Sequence, residues 1–320
     1  MTRVRIAGLG RCLPGRVVAS LELDRLCGLP AGRTERATGV RERRWVHFES
    51  ASEMAAVAAR EALEEAGALP DLILNASGTA EQFLPDGGPL LQRELGLSGV
   101  PSFSVHATCL SFLVALDVAA CLIARGSHRC VLVSSSEVTS RGLNFSQPES
   151  AGLMGDGAAA AVLLSDRRSR FLSYRMRTYP EGVELAQVRG GGTRRPPGWP
   201  ETRPEDHLFH MQGPPMLRMF RRRAPAFLEE LRPGLSRGLG PVRLVIPHQP
   251  SRMGLKTLSD FGWEPERIAS SLPHLGNCVA ASLPLTLYEA ARADRLERGD
   301  EVLLLGTGAG LSIAGLILSW

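Results

Sequence analysis

The stretch from Pro101 to Cys121 sets most of what this chain can fold into. Its first part, Pro101 to His106, is short, β-prone and partly apolar, and reads as a strand. From Leu110 onward small and apolar residues dominate with almost no charge, which predicts a buried helix. Other runs repeat the theme. Cys130 to Ser135 is a β-branched apolar run, and Met154-Gly155-Asp156-Gly157 turns straight into an apolar strand that ends at Leu164. Val4 to Leu9, Leu72 to Ala76, Val242 to Ile246, Glu301 to Leu305 and Leu311 to Leu318 also read as strands. Strands that stay apolar without alternating are covered on both faces, so their alternation with helices predicts an α/β fold.

The helices fall between them. Leu21 to Leu26 is a short one opened by Ser20, and Ser52 to Ala66 is amphipathic, with Ser52 as its cap. Pro89 to Leu95, Met216 to Leu231, Leu255 to Phe261 and Leu283 to Arg292 complete the set. Thr34 to Trp45 reads as an exposed basic turn region, and Gly190 to Asp206, rich in Pro, Gly and Arg, as a long loop. Gly306-Thr307-Gly308-Ala309-Gly310 reads as a glycine loop. Each half of the chain has strands broken by helices and ends on an apolar strand after a glycine-rich turn. That pattern suggests an internal duplication with a boundary near residue 166.

Composition excludes several function classes. With 320 residues, 44% of them hydrophobic, the chain can build one large domain or two of ordinary size. Aromatic residues make up only 5%, too few for a base-stacking platform, and no nucleic-acid motif is present. The net charge of +4 is a mild basic excess that suits an acidic partner. Six cysteines, at 12, 27, 109, 121, 130 and 278, form no C-x-x-C pair, so neither a zinc site nor a disulfide framework is expected. No apolar run reaches the roughly eighteen residues that cross a membrane, and the N-terminus lacks the apolar core of a signal peptide. The expectation is a cytoplasmic protein.

Three polar side chains stand at the junctions of apolar segments. Cys109 lies where a strand turns into a buried helix, at free N–H groups and the positive end of a dipole, which predicts a thiol that ionises easily. His248 follows a strand, in Pro247-His248-Gln249. Asn277 stands immediately before a small-residue helix, in Gly276-Asn277-Cys278. Singly, each is as well explained by structure. Together, a thiol, an imidazole and an amide at strand and loop ends are the makings of a nucleophilic site.

Their order and context resemble the β-ketoacyl-acyl-carrier-protein synthase III group of thiolase-fold condensing enzymes. The resemblance runs nearly end to end, through Thr38-Gly39-Val40-Arg41-Glu42-Arg43-Arg44, Cys109 with Phe112, Met154-Gly155-Asp156-Gly157-Ala158, Met211-Gln212-Gly213, Pro247-His248-Gln249, Gly276-Asn277 with Ala280-Ala281-Ser282, and Gly308-Ala309-Gly310. It implies two pseudo-duplicated βαβαβαββ halves in a five-layered αβαβα arrangement, with residues 1–166 carrying the nucleophile and 167–320 carrying His and Asn. It also implies a Cys109, His248 and Asn277 triad and an oxyanion hole from the backbone N–H groups of Cys109 and Ala309. The reaction implied is decarboxylative Claisen condensation of a Cys-bound acyl starter with a malonyl thioester on acyl carrier protein, in fatty-acid or polyketide biosynthesis. A homodimer with no metal or cofactor beyond its acyl thioesters follows from the same likeness.

The chain departs from that group where substrate is handled. Arg33 and Ala37 match the Trp and Arg that flank the adenine of coenzyme A. Pro214 and Ser251 match asparagines, and Gln147, Pro148 and Glu149 lie near an expected Arg. These changes suggest a starter delivered on a carrier protein, or an unusual acyl group. Leu110-Ser111 replaces a small Ala-Gly pair. Gln82-Phe83-Leu84-Pro85 matches the loop that reaches across the dimer, so Phe83 and Leu84, with Phe112, are the expected acyl-pocket residues. Arg218 matches a basic residue that docks the acidic carrier, with Arg221, Arg222 and Arg252 extending the patch. Two other functions fit the same scaffold: a non-decarboxylating acyltransferase to a hydroxyl or amine, and an inactive partner subunit.

Overall fold

A computed structural model describes residues 2–320. Two sheets carry the fold. The first holds β1 (Val4–Cys12), β2 (Leu72–Asn75), β3 (Ser102–Ser104), β4 (Cys130–Glu137) and β5 (Gly157–Ser165), in the order β1-β5-β4-β2-β3. The second holds β6 (Arg170–Gly182), β7 (Val242–Pro247), β8 (Glu301–Gly308) and β9 (Gly310–Ser319), in the order β7-β8-β9-β6. Read from the first strand of each half, the two orders run alike. The place that β3 fills in the first sheet is taken in the second by an isolated bridge between Val245 and Ile268. In both sheets the last two strands of the half pair antiparallel and the inner crossovers are parallel.

Helices α1 (Ala51–Ala66), α2 (Ser111–Ala124), α3 (Gly213–Leu231) and α4 (Ser282–Arg292) form the remaining layers. The charge-poor α2 lies with α4 between the sheets. Leu113, Leu116 and Ala120 of α2 and Leu283 and Leu287 of α4 share one core with Val131 and Leu163 of the first sheet and Leu304 and Leu316 of the second. The outer face of the first sheet is covered by the alanine-rich stripe of α1. Phe220, Phe227 and Leu231 of α3 cover the second. The result is the αβαβα stack of the thiolase-like fold.

Close packing of α1 depends on glycine. A Cβ on Gly8 would lie 2.1 Å from the Ala62 carbonyl oxygen, and one on Gly10 would lie 2.0 Å from that of Ala58. Only a strand without side chains at those two positions admits the helix so near.

Several sequence expectations change. Ser20 does not cap its helix; its hydroxyl donates to the Val40 carbonyl and accepts from Arg43 Nη2. Ser50, not Ser52, caps α1 in a reciprocal pair with Glu53, while Ser52 sits inside the helix against Glu81. Residues 34–45 are no exposed turn. They form a helix, Arg33–Thr38, and a strand, Glu42–Trp45, paired with Arg16–Ala19. Arg43 is fully buried there, donating to the Val18 and Gly152 carbonyls, and burial pushes its guanidinium down to about 10. The expected glycine loop is largely strand: Gly306-Thr307-Gly308 ends β8, and the chain reverses at Ala309. β6 escaped the sequence reading because it is an edge strand whose exposed face carries Arg170, Arg175 and Arg177, so no apolar run marks it.

Candidate active site

The sequence places Cys109 at the start of a helix, and the structure refines that. Thr108 to Leu110 form a 3-10 turn before α2, and Thr108 takes a positive φ of 54°, unusual for a β-branched residue. The turn is held by Ser111, whose hydroxyl donates to the Thr108 carbonyl at 2.7 Å and accepts from the Ala107 N–H at 2.9 Å. Across from it, Gly308 ends β8 so close that a Cβ there would lie 2.6 Å from Thr108 Oγ1. The Ala309 N–H donates to that same oxygen at 3.1 Å. This contact sets the reversal between β8 and β9 beside the cysteine turn.

The thiol itself does not behave as a helix start alone predicts. Cys109 keeps partial exposure as a residue, yet its sulfur is desolvated, and burial with the charge of Glu137 pushes the thiol up to about 12. Its own N–H and that of Ala309 pull the other way and lose. At rest the sulfur is a protonated thiol, and the Ala309 amide is engaged with Thr108 Oγ1 beside it.

His248 directly follows β7, with its N–H donating to the Leu305 carbonyl of β8 at 2.8 Å. Burial pushes the imidazole down to about 4, against a smaller opposing effect of the Val279 backbone, so the ring is neutral at pH 7. Asn277 is fixed on both sides of its peptide. Its N–H donates to the Leu153 carbonyl, and its carbonyl accepts from the Gly155 N–H, which places it against the Gly155-Asp156-Gly157 turn. Its side-chain Oδ1 accepts from the Val279 N–H at 2.9 Å and the Ser282 hydroxyl at 3.4 Å. With the oxygen so engaged, Nδ2 is the end of the amide left to donate to a ligand.

These segments meet through Val279. A Cβ on Gly78 would touch Val279 Cγ1 at 2.6 Å and the Thr108 carbonyl at 3.1 Å, so the 78 loop, the cysteine turn and the asparagine turn share one point. His248 also borders a cleft of about 100 Å³, walled by Met211, Leu217, Phe220, Leu255 and Leu305 and reaching Thr307. A narrow, mostly apolar slot of this kind suits a thin flexible arm.

The other expected site residues lie apart. Phe112 is fully buried in the core between the sheets, whereas Phe83 and Leu84 are exposed on the loop after Thr79. Arg218 is exposed on α3 and makes no ion pair among the described residues. Arg221 is paired with Asp260 at 3.3 Å, Arg222 reaches Glu181 at 4.0 Å, and Arg252 donates to the Arg36 carbonyl. Sequence reasoning passed over Glu137, fully buried at the end of β4. Its signal was a lone carboxylate closing the run Val131 to Ser136. Among the described residues there is no cluster of three or more His, Cys, Asp or Glu placed to hold a metal ion, and no helix long and apolar enough to cross a membrane.

Residues 103–180 match the 3-oxoacyl-[acyl-carrier-protein] synthase III family and residues 238–320 match its C-terminal counterpart. The chain is similar to the β-ketoacyl-[acyl-carrier-protein] synthase III of Symbiobacterium thermophilum, with 32% identity over 99% of this chain and 98% of that protein. The protein of the same name from Solibacter usitatus is 30% identical over 100% and 99%. Among solved structures, the 3-oxoacyl-[acyl-carrier-protein] synthase III of Aquifex aeolicus superposes with a TM-score of 0.88 at 29% identity, over 99% of this chain and 100% of that one.

Proposed function

The chain belongs to the 3-oxoacyl-[acyl-carrier-protein] synthase III family and is a condensing acyltransferase, and from that premise we propose that Cys109, His248 and Asn277 carry its decarboxylative Claisen chemistry. In the first half-reaction the Cys109 sulfur attacks an acyl thioester. The C–S bond of the carrier thioester breaks, and the thiol proton ends on the departing carrier thiol. The oxyanion formed on the way is met by the N–H groups of Cys109 and Ala309. At rest the Ala309 amide donates to a neutral hydroxyl, a weaker acceptor than an oxyanion, so it can turn to the charge.

In the second half-reaction the malonyl C–C bond breaks and CO2 leaves, and the electron pair spreads onto the thioester oxygen. Neutral His248 and the Nδ2 of Asn277 donate to that oxygen. The enolate carbon then attacks the acyl-Cys109 carbonyl, and the sulfur leaves and takes a proton from water. The observation that carries this reading is the committed orientation of the Asn277 amide, whose oxygen is held by Val279 and Ser282 so that a donor faces outward. A donor beside an uncharged imidazole suits an enolate oxygen.

The same reading extends to partners. An acidic acyl carrier protein would dock on Arg218, with Arg222 and Arg252 beside it, and thread its arm into the cleft that ends at His248. A starter on a carrier protein fits better than coenzyme A, since Arg33 and Glu149 form an exposed ion pair at 3.7 Å where the adenine would be gripped. We read the chain as two halves, 1–166 and 167–320. Phe83 and Leu84, exposed near edge strand β3 with the exposed Phe103, would cap the partner's acyl pocket next to Phe112 in a homodimer. Six free cysteines fit the reducing cytoplasm.

Intact mass after incubation with a panel of acyl thioesters tests the assignment. Wild type gains one acyl group, Cys109→Ala gains none, and malonyl carrier protein then releases CO2. Acylation without CO2 release would mark a non-decarboxylating acyltransferase, and no acylation at Cys109 would mark an inactive subunit.

A further inference from the structure

The Glu137 carboxylate is fully buried and lies outside the triad, yet it gathers the segments that build the site. Oε1 accepts from the Gly78 N–H at 2.6 Å, and Oε2 accepts from the Thr79 N–H at 2.9 Å and the Thr79 hydroxyl at 2.6 Å. The Ser135 hydroxyl reaches Oε1 at 3.4 Å, and the nearby Ala280 backbone favours the charged carboxylate. Gly78 in turn packs on the Thr108 carbonyl and on Val279, the residue whose N–H fixes Asn277 Oδ1. One carboxylate therefore ties the end of β4 to the loop that leads to Phe83 and Leu84. Through Gly78 and Ala280 it ties that loop to the turns of Cys109 and Asn277.

We propose that Glu137 is a positioning residue of the condensation, which locks the 78–79 loop onto the Cys109 and Asn277 turns through its ring of backbone amides. The choice has a cost in charge. Burial pushes the Glu137 carboxyl itself up to about 7, and where it is ionised its negative charge opposes thiolate formation at Cys109. A group kept in spite of that opposition is kept for what it holds. The two effects point in opposite directions on substitution, which separates positioning from mere damage.

The proposal rests on Cys109 being the nucleophile, and the experiment keeps the two apart. Glu137→Gln and Glu137→Asp are compared with wild type in condensation kinetics, in melting, and in the pH profile of Cys109 alkylation by iodoacetamide. For Glu137→Gln, alkylation at about pH 8 to 9, above the value of about 7 to which burial raises the carboxyl, should rise about threefold or more as the charge goes. Its kcat should fall on the order of 10- to 100-fold, with KM for the carrier substrate little changed, as amide donors lose their acceptor. Glu137→Asp keeps the charge but draws the oxygens back by one methylene. It should leave the alkylation profile in place and still lose kcat about tenfold. Should Glu137→Gln not fold, the Asp variant alone decides. A folded variant with wild-type kcat overturns the proposal, as does a kcat loss matched by a rise in KM. Faster turnover that tracks faster alkylation in Glu137→Gln overturns it as well, because charge would then be the whole effect. A wild-type protein that takes no acyl group at Cys109 overturns the functional reading first and this one with it.

Discussion

At Cys109 two opposing influences can be ranked. Proximity to a helix start favours the thiolate, but that effect is modest, whereas desolvation of a buried sulfur beside Glu137 is large enough to push the thiol up to about 12. The free enzyme should therefore alkylate slowly at neutral pH. Its rate with iodoacetamide should climb about tenfold per pH unit through pH 7 to 10, since the thiolate fraction grows so below the thiol's own value. A plateau near pH 8 would show an activated resting thiolate instead. His248 shifts the other way. Held down to about 4, the imidazole stays neutral across the working range, so its charge should contribute no inflection to malonyl decarboxylation between pH 5 and 9. In the proposed assignment Asn277 acts in the second half-reaction alone. Asn277→Asp puts a carboxylate where the enolate charge develops, and decarboxylation should drop about 100-fold or more while acyl transfer to Cys109, followed by intact mass, persists.

At the scale of elements, the seat of α1 is set by a cap and by two glycines. Ser50→Ala removes the acceptor for the Glu53 N–H and should cost about 1 kcal/mol in denaturant unfolding. Gly10→Ala should cost more, about 3 kcal/mol, because the added Cβ meets a helix carbonyl that cannot yield without lifting α1 off β1. A Gly10→Ala protein as stable as wild type would mean that the helix rides further from the sheet. The same elements show what a sequence conveys. The buried strands β4, β5, β7 and β9 and the buried helix α2 were legible because their composition differs from everything exposed. β6 was not, since an Arg-rich edge strand looks like loop until its partner β9 is known. Arg43 reads as a surface charge in a basic run, and only the fold reveals the carbonyls of Val18 and Gly152 that take it in. Cys109, His248 and Asn277 could be named as candidates from motif order. Glu137 could not be ranked, because its worth lies in contacts with Gly78, Thr79 and Ala280 that no local pattern encodes.

For the whole molecule, the distribution of charge matters more than its sum. The chain is +4 overall, and the arginine run at 221–223 suggests a broad basic face. The structure pairs the whole run within the chain: Arg221 with Asp260, and Arg222 and Arg223 with Glu181 at 4.0 and 2.6 Å. Arg218, one turn earlier on α3, has no such partner among the described residues and stands exposed on the helix whose Leu217 and Phe220 wall the cleft. An acidic carrier whose arm enters that cleft meets Arg218 with its charge undiminished. Charge reversal there should thus raise KM for the carrier-bound substrate about tenfold at roughly 20 mM salt, where fields extend some 20 Å, and by much less at about 0.3 M, with kcat unchanged. Arg223→Glu should do less at either salt, because that side chain's field is already cancelled by Glu181. A loss for Arg218→Glu that is the same at both salts would place the docking surface elsewhere, and a larger loss for Arg223→Glu would mean that the Glu181 pair opens when the carrier arrives.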